Sequence, residues 1–136
     1  MKKRKIVLEI LSGLFIVIAV LYFVFGYKER KEFLSKKEFI SHTIGTIESI
    51  NYGVRVAPWY NYSFFVKRNK KKGNYSLIDN KLRENSRKEQ VSYIGKSFLV
   101  KFSKEKPKYN ELLWEKPAPD SLVKCCKHQV WEEPPF

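Results

Sequence analysis

Apolar and polar positions divide the chain into stretches of different period. Residues 6–27 (IVLEILSGLFIVIAVLYFVFGY) are almost continuously apolar, and from Ile10 to Tyr27 none of the eighteen residues is charged. Twelve of the eighteen are Leu, Ile, Val or Phe. As a helix they cover about 27 Å, and a start at Ile6 brings the length close to the ~30 Å hydrocarbon core of a bilayer. No polar face is left for water, which argues against a buried core helix or an ordinary surface helix. Residues 28–39 (KERKEFLSKKEF) are rich in Lys and Glu, with Phe33, Leu34 and Phe39 at roughly helical spacing, and predict a charged helical stalk. From residue 40 the period becomes two. Residues 40–50 predict a strand, and Asn51-Tyr52-Gly53 a turn. After Pro58, Tyr60, Tyr62, Phe64 and Val66 fall on one face of a strand, while Trp59, Asn61, Ser63, Phe65 and Lys67 fall on the other. Residues 73–78 (GNYSLI) read as the returning strand. Residues 79–90 are polar and predict a loop or a short surface helix. Residues 96–103 predict a further strand with Phe98, Val100 and Phe102 on one face, and Leu112-Leu113-Trp114 a last short one. Pro117, Pro119, Pro134 and Pro135 mark an irregular end, residues 123–136. The expected architecture is an N-terminal transmembrane helix (within residues 1–27), a stalk (28–39) and a small antiparallel all-β domain (40–122). That domain would have four to six strands and be barrel-like or sandwich-like.

The basic start, MKKRK, leaves two readings of the apolar run: an anchor that stays or a signal peptide that is removed. The run is longer than a usual signal core and no A-x-A site follows, so the anchor is expected. Glu9 lies near one end, where a charge costs less, and Tyr22 and Tyr27 lie toward the other, as interfacial aromatics do. Lys2, Lys3, Arg4 and Lys5 on one flank nearly balance Lys28, Arg30, Lys31, Lys36 and Lys37 on the other. A very short basic tail usually stays in the cytoplasm, which sets the β domain outside. The expected location is a bacterial inner membrane, crossed once, with the bilayer as partner of residues 6–27.

The net charge of +13 favours anionic partners: nucleic acid, lipid headgroups or an acidic polymer. It is densest in YNYSFFVKRNKKKGNYS, residues 60–76, where aromatics run into Lys67, Arg68, Lys70, Lys71 and Lys72. Residues 68–73 stand where a hairpin loop belongs, and Asn69 and Gly73 supply the backbone freedom such loops need. The five basic residues are therefore candidates for contact with an anionic surface. A single-strand nucleic-acid grip would need Tyr60, Tyr62 and Phe64 on an open face beside the basic groove. A domain of this size needs those rings for its core.

Catalytic chemistry leaves little trace. The chain contains no G-x-x-x-x-G-K-[ST], H-E-x-x-H or G-x-S-x-G. Glu84, Glu89, Glu105 and Glu111 lie beside Lys or Arg in polar segments and read as solvated surface, and His42 as a partly buried, satisfied side chain. Cys125-Cys126-Lys127-His128 holds both cysteines, yet adjacent cysteines do not readily face one tetrahedral metal. They are either a vicinal disulfide in an oxidising compartment or two free thiols. The sequons at Asn61 and Asn74 matter only in a eukaryotic secretory pathway. No enzyme, cofactor or metal site is expected.

Ile44-Gly45-Thr46-Ile47, Tyr60-x-Tyr62-x-Phe64-x-Val66, Ile94-Gly95-Lys96-x-Phe98-x-Val100-x-Phe102-Ser103 and Pro107-x-Tyr109-Asn110-Glu111-Leu112-Leu113 together resemble a family of bacterial, usually membrane-associated, small β domains of unknown function. The ending LLWEKPAPDSL is similar to that of single-span proteins of flavobacterial type. The resemblance covers residues 40–122. The chain departs from it where Lys70-Lys71-Lys72 replaces a glycine-richer loop. The family has no agreed catalytic residues, so the resemblance implies an architecture and no site. The expected function is a membrane-anchored, non-enzymatic envelope module that binds a protein or an anionic polymer. Two alternatives stand: a cytoplasm-facing nucleic-acid binder using the basic hairpin, and an accessory subunit of a membrane complex.

Overall fold

The computed structural model describes residues 2–136, and the elements named below are counted among those residues. The apolar run and residues 28–35 of the expected stalk form one unbroken helix, α1 (Lys2–Ser35), which stops four residues short of the stalk's expected end. At 1.5 Å per residue its 34 residues extend about 50 Å. None of its residues is buried, and rings such as Phe23 are 81% exposed. It is the one helix among the described residues long and apolar enough to cross a membrane.

A 3-10 turn (Lys37–Phe39) leads into five strands: β1 (Ile40–Asn51), β2 (Trp59–Val66), β3 (Asn69–Ser76), β4 (Ser97–Ser103) and β5 (Asn110–Pro117). They form one antiparallel sheet in the order β3-β2-β1-β4-β5. The period-two reading of β2 holds: Tyr60, Tyr62 and Phe64 are buried together with Phe98, Val100, Phe102 and Leu112. Long β1 carries a bulge at Glu48, since Ile47 pairs with Tyr62 and Ser49 with the next residue back, Asn61. The extra residue returns Ile50 to the same face as Ile47, although three positions separate them. The sheet curls until its two edge strands face each other. Tyr75 on β3 stacks on Trp114 of β5 at 5.2 Å. The Tyr62 hydroxyl donates to Asn110 Oδ1 at 2.6 Å.

The polar stretch after β3 becomes a 3-10 turn (Lys81–Glu84) and a short helix, α2 (Arg87–Val91). Asn80 and Ser86 cap them, accepting from the backbone N–H of Leu82 and Glu89 respectively. Leu82 plugs one end of the core, and buried Gln90 donates to the carbonyls of Leu82 and Arg83.

Two segments differ from the sequence reading. Lys70, Lys71 and Lys72 are not a loop: β3 starts at Asn69, and only Lys67 and Arg68 make the turn. Both turn residues have positive φ, 49° and 67°, as a two-residue hairpin matched to strand twist requires. Gly73 is not a turn glycine either. It lies opposite Tyr62, and a Cβ there would meet the Tyr62 ring and Asn110 Oδ1. At the other end, residues 123–136 are partly ordered. Helix α3 (Asp120–Cys126) follows Pro119, and Trp131 pairs through its backbone with His42, where β2 no longer accompanies β1.

Candidate functional site at the helix–sheet junction

Two basic regions come from different parts of the chain. The first is the hairpin. Lys67 and Arg68 are exposed at its tip. Lys70 and Lys72 project to one face of β3 and Lys71 to the other, opposite Phe64. Lys70 is engaged: its Nζ lies 2.5 Å from Glu48 Oε1, which also accepts from Ser63 Oγ at 2.7 Å. The Lys70 hydrogen bond, then that of Ser63, holds the Glu48 carboxyl below its ordinary range. With Tyr60, Tyr62 and Phe64 fully buried, the hairpin offers no row of rings on which bases could stack. A lysine-bearing edge strand is also a common guard against edge-to-edge pairing.

The second region lies where α1 leaves its apolar run. The last turns of α1 are fastened to the β4–β5 connection, residues 104–109. Lys106 Nζ bonds Glu29. The Arg30 guanidinium donates to the Asn110 carbonyl at 2.9 Å. Phe33 stacks on Tyr109 at 5.7 Å, and the Lys106 ammonium sits 4.7 Å above the Phe33 ring. The hydrogen bond from Lys106, then that from Tyr109, holds the Glu29 carboxyl below its ordinary range, and Glu29 raises the Lys106 ammonium. Glu29 to Phe33 lie about 3–9 Å along the helix axis beyond Tyr27. Lys106 and Lys108 are thus brought beside Glu29, and Lys31 beside Lys101 and Glu111. Sequence reading missed this meeting because the contacts cross some 80 positions. The available signal was Phe33 and Leu34, two apolar residues in a stalk otherwise made of charges.

The remaining candidates are dispersed. Glu84, Glu89, Glu105 and Glu111 are exposed and on separate elements. Among the described residues, no three His, Cys, Asp or Glu side chains are grouped as a metal would require. The Cys125 and Cys126 sulfurs are bonded to each other. His42 is buried, and its Nδ1 has no hydrogen-bond partner among the described residues. Compared with known proteins, the chain matches no family model, no curated protein and no solved structure.

Proposed function

We propose that this chain is a single-pass protein of a bacterial inner membrane, whose β domain acts outside the cytoplasm as a non-enzymatic interaction module held against the bilayer. The observation that carries the reading is the junction. A bare apolar helix needs lipid around it, and the Glu29–Lys106, Arg30–Asn110 and Phe33–Tyr109 contacts leave the domain no free hinge above it. Its height of 3–9 Å beyond Tyr27 corresponds to the headgroup layer, roughly 5–8 Å deep on each side. Lys28, Lys31 and Lys108 would then stand at headgroup level, where basic side chains are drawn to an anionic surface. Anchoring raises the local concentration of the domain for partners in the same membrane. The Cys125–Cys126 bond fits an oxidising compartment, and the resemblance of residues 40–122 to membrane-associated β domains points the same way.

Protease treatment of intact spheroplasts carrying a tag after Phe136 tests the reading. Loss of the tag while a cytoplasmic control survives is the expected result. Survival of the tag until the membrane is opened would place the domain inside.

The β1–β2 loop favours a second reading, an accessory subunit of a membrane complex. Val54 is 90% exposed and Val56 is exposed beside it. Co-purification of a partner in mild detergent, lost in the Val54→Ser/Val56→Ser chain, would support it. A clean monomer would count against it.

A further inference from the structure

A cleft of about 680 Å³ opens on the face of the sheet away from the aromatic core. Lys37, Ile40, His42, Lys101, Lys104 and Lys116 line it, drawn from the 3-10 turn, β1, β4, the β4–β5 connection and β5. Four lysines converge on it from four segments of the chain, and Glu38 is the acid beside them that does not come from the C-terminal segment. A row of lysines is ordinarily a solvated face. Three observations set this one apart. The surface is concave. Its floor holds His42, 8% exposed, with an imidazole Nδ1 that has no partner among the described residues. An acidic peptide also already packs at its edge, because Glu132, Glu133, Pro134 and Phe136 of the chain itself form one wall.

That segment is lightly held. Trp131 is fixed by two backbone hydrogen bonds with His42, of 2.7 and 2.8 Å. Beyond it, Glu132 pairs with Lys104 at 2.9 Å with its carboxylate almost wholly in water. Lys116 donates to the Phe136 oxygen at 2.6 Å. Glu133 makes no ion pair among the described residues. Exposed pairs of this kind exchange readily with water and with competing anions.

We propose that this cleft is a binding site for an acidic peptide segment of a partner protein, and that residues 132–136 cover one side of it and hold Lys104 and Lys116 until such a segment displaces them. The mixed lining suits a peptide better than a bare anion: lysines for carboxylates, and Ile40 for apolar side chains between them. The proposal deepens the interaction-module reading, and its test uses binding by the purified chain. Failure there leaves the protease result, which reads sidedness, to stand or fall separately.

The test uses the full chain in phosphatidylcholine nanodiscs and a fluorescent peptide with the sequence of residues 130–136, VWEEPPF. Neutralising the resident segment with Glu132→Gln and Glu133→Gln should raise affinity for the peptide about tenfold, since an intramolecular competitor is weakened. Adding Lys104→Gln and Lys116→Gln to that chain should reverse the gain. Lys37→Gln alone should lower it and serves where the multiple variant folds poorly, with tryptophan emission as the folding check. A peptide with Gln at both Glu positions should not bind. Equal binding of the acidic and amide peptides, no gain on neutralising the segment, or no loss on removing lysines would overturn the proposal. Displacement of the peptide by phosphatidylglycerol nanodiscs would reassign the cleft to lipid and also overturn it.

Discussion

Gly73 faces the Tyr62 ring across the β2–β3 pair, so the smallest possible side chain is already too large there. Gly73→Ala must push Tyr62 from its hydrogen bond with Asn110 or bend the edge strand. A loss of about 1–3 kcal/mol is expected from overpacking of this kind, read as a lowered urea midpoint of the full chain in detergent. Asn74→Ala, exposed next door, should be near neutral. His42 carries a second prediction at this scale. Burial pushes its imidazole below the ordinary value of 6.5 against a hydrogen bond with the Glu132 backbone that raises it, and Lys101 and Lys116 add weakly to the lowering. The unfolded chain therefore takes up a proton at a pH where the folded one does not. Stability is full above about pH 6.5 and falls as pH drops below it. Glu29, Glu48 and Glu132 are held below 4.5, so their contribution fades only at more acid pH. The drop between pH 7.5 and 5.5 should shrink in His42→Gln, measured by the same urea titration. An unchanged slope would remove His42 as its source. Neither residue's role was legible locally. Gly73 reads as a turn glycine until its partner across the sheet is known, and the surroundings of His42 come from β4, β5 and the C-terminal segment.

The hairpin shows how far periodicity reaches at the scale of elements. Alternation in Trp59–Val66 identified the buried face of β2 correctly, because burial on one face of a strand enforces period two. The strand after it was expected to begin at residue 73 and begins at Asn69, because lysines and asparagine resemble loop composition, whereas on an exposed edge strand they cost little and discourage association. The turn chemistry was equally hidden: Lys67 and Arg68 occupy positive-φ positions that Asn-Gly would fill without strain. Lys67→Asn with Arg68→Gly should therefore stabilise the chain by roughly 0.5–1 kcal/mol, seen as a raised thermal midpoint. A lowered midpoint would mean that the two side chains make contacts outweighing the backbone strain. The apolar part of helix α1 was legible, since eighteen uncharged residues leave one folding option, whereas its end at Ser35 was not. Its docking was not. Asn110, Tyr109 and Lys106 gain their roles only once β4 and β5 are paired.

For the whole molecule, the consequence of that docking is orientation. The Phe33–Tyr109 stack and the Glu29–Lys106 pair together fix which end of the β domain meets helix α1, and, in the proposed function, which end meets the bilayer. In the proposed function the β4–β5 connection stands at the membrane, while the β1–β2 loop with Val54 lies at the opposite end of the twelve-residue β1. Sequence reading supplied an anchor, a stalk and a β domain, and left the stalk as a charged helix with no contact to the domain. Helix and sheet instead share one junction, and the account of function rests on it. The most direct test is the depth of a spin label at Lys108→Cys in the full chain, reconstituted in nanodiscs containing phosphatidylglycerol. Accessibility to oxygen and to a water-soluble nickel chelate reports the depth, with Val54→Cys as reference. A label at headgroup depth on residue 108 and a fully aqueous one on residue 54 is the predicted result. Equal, fully aqueous accessibility at both positions would contradict it.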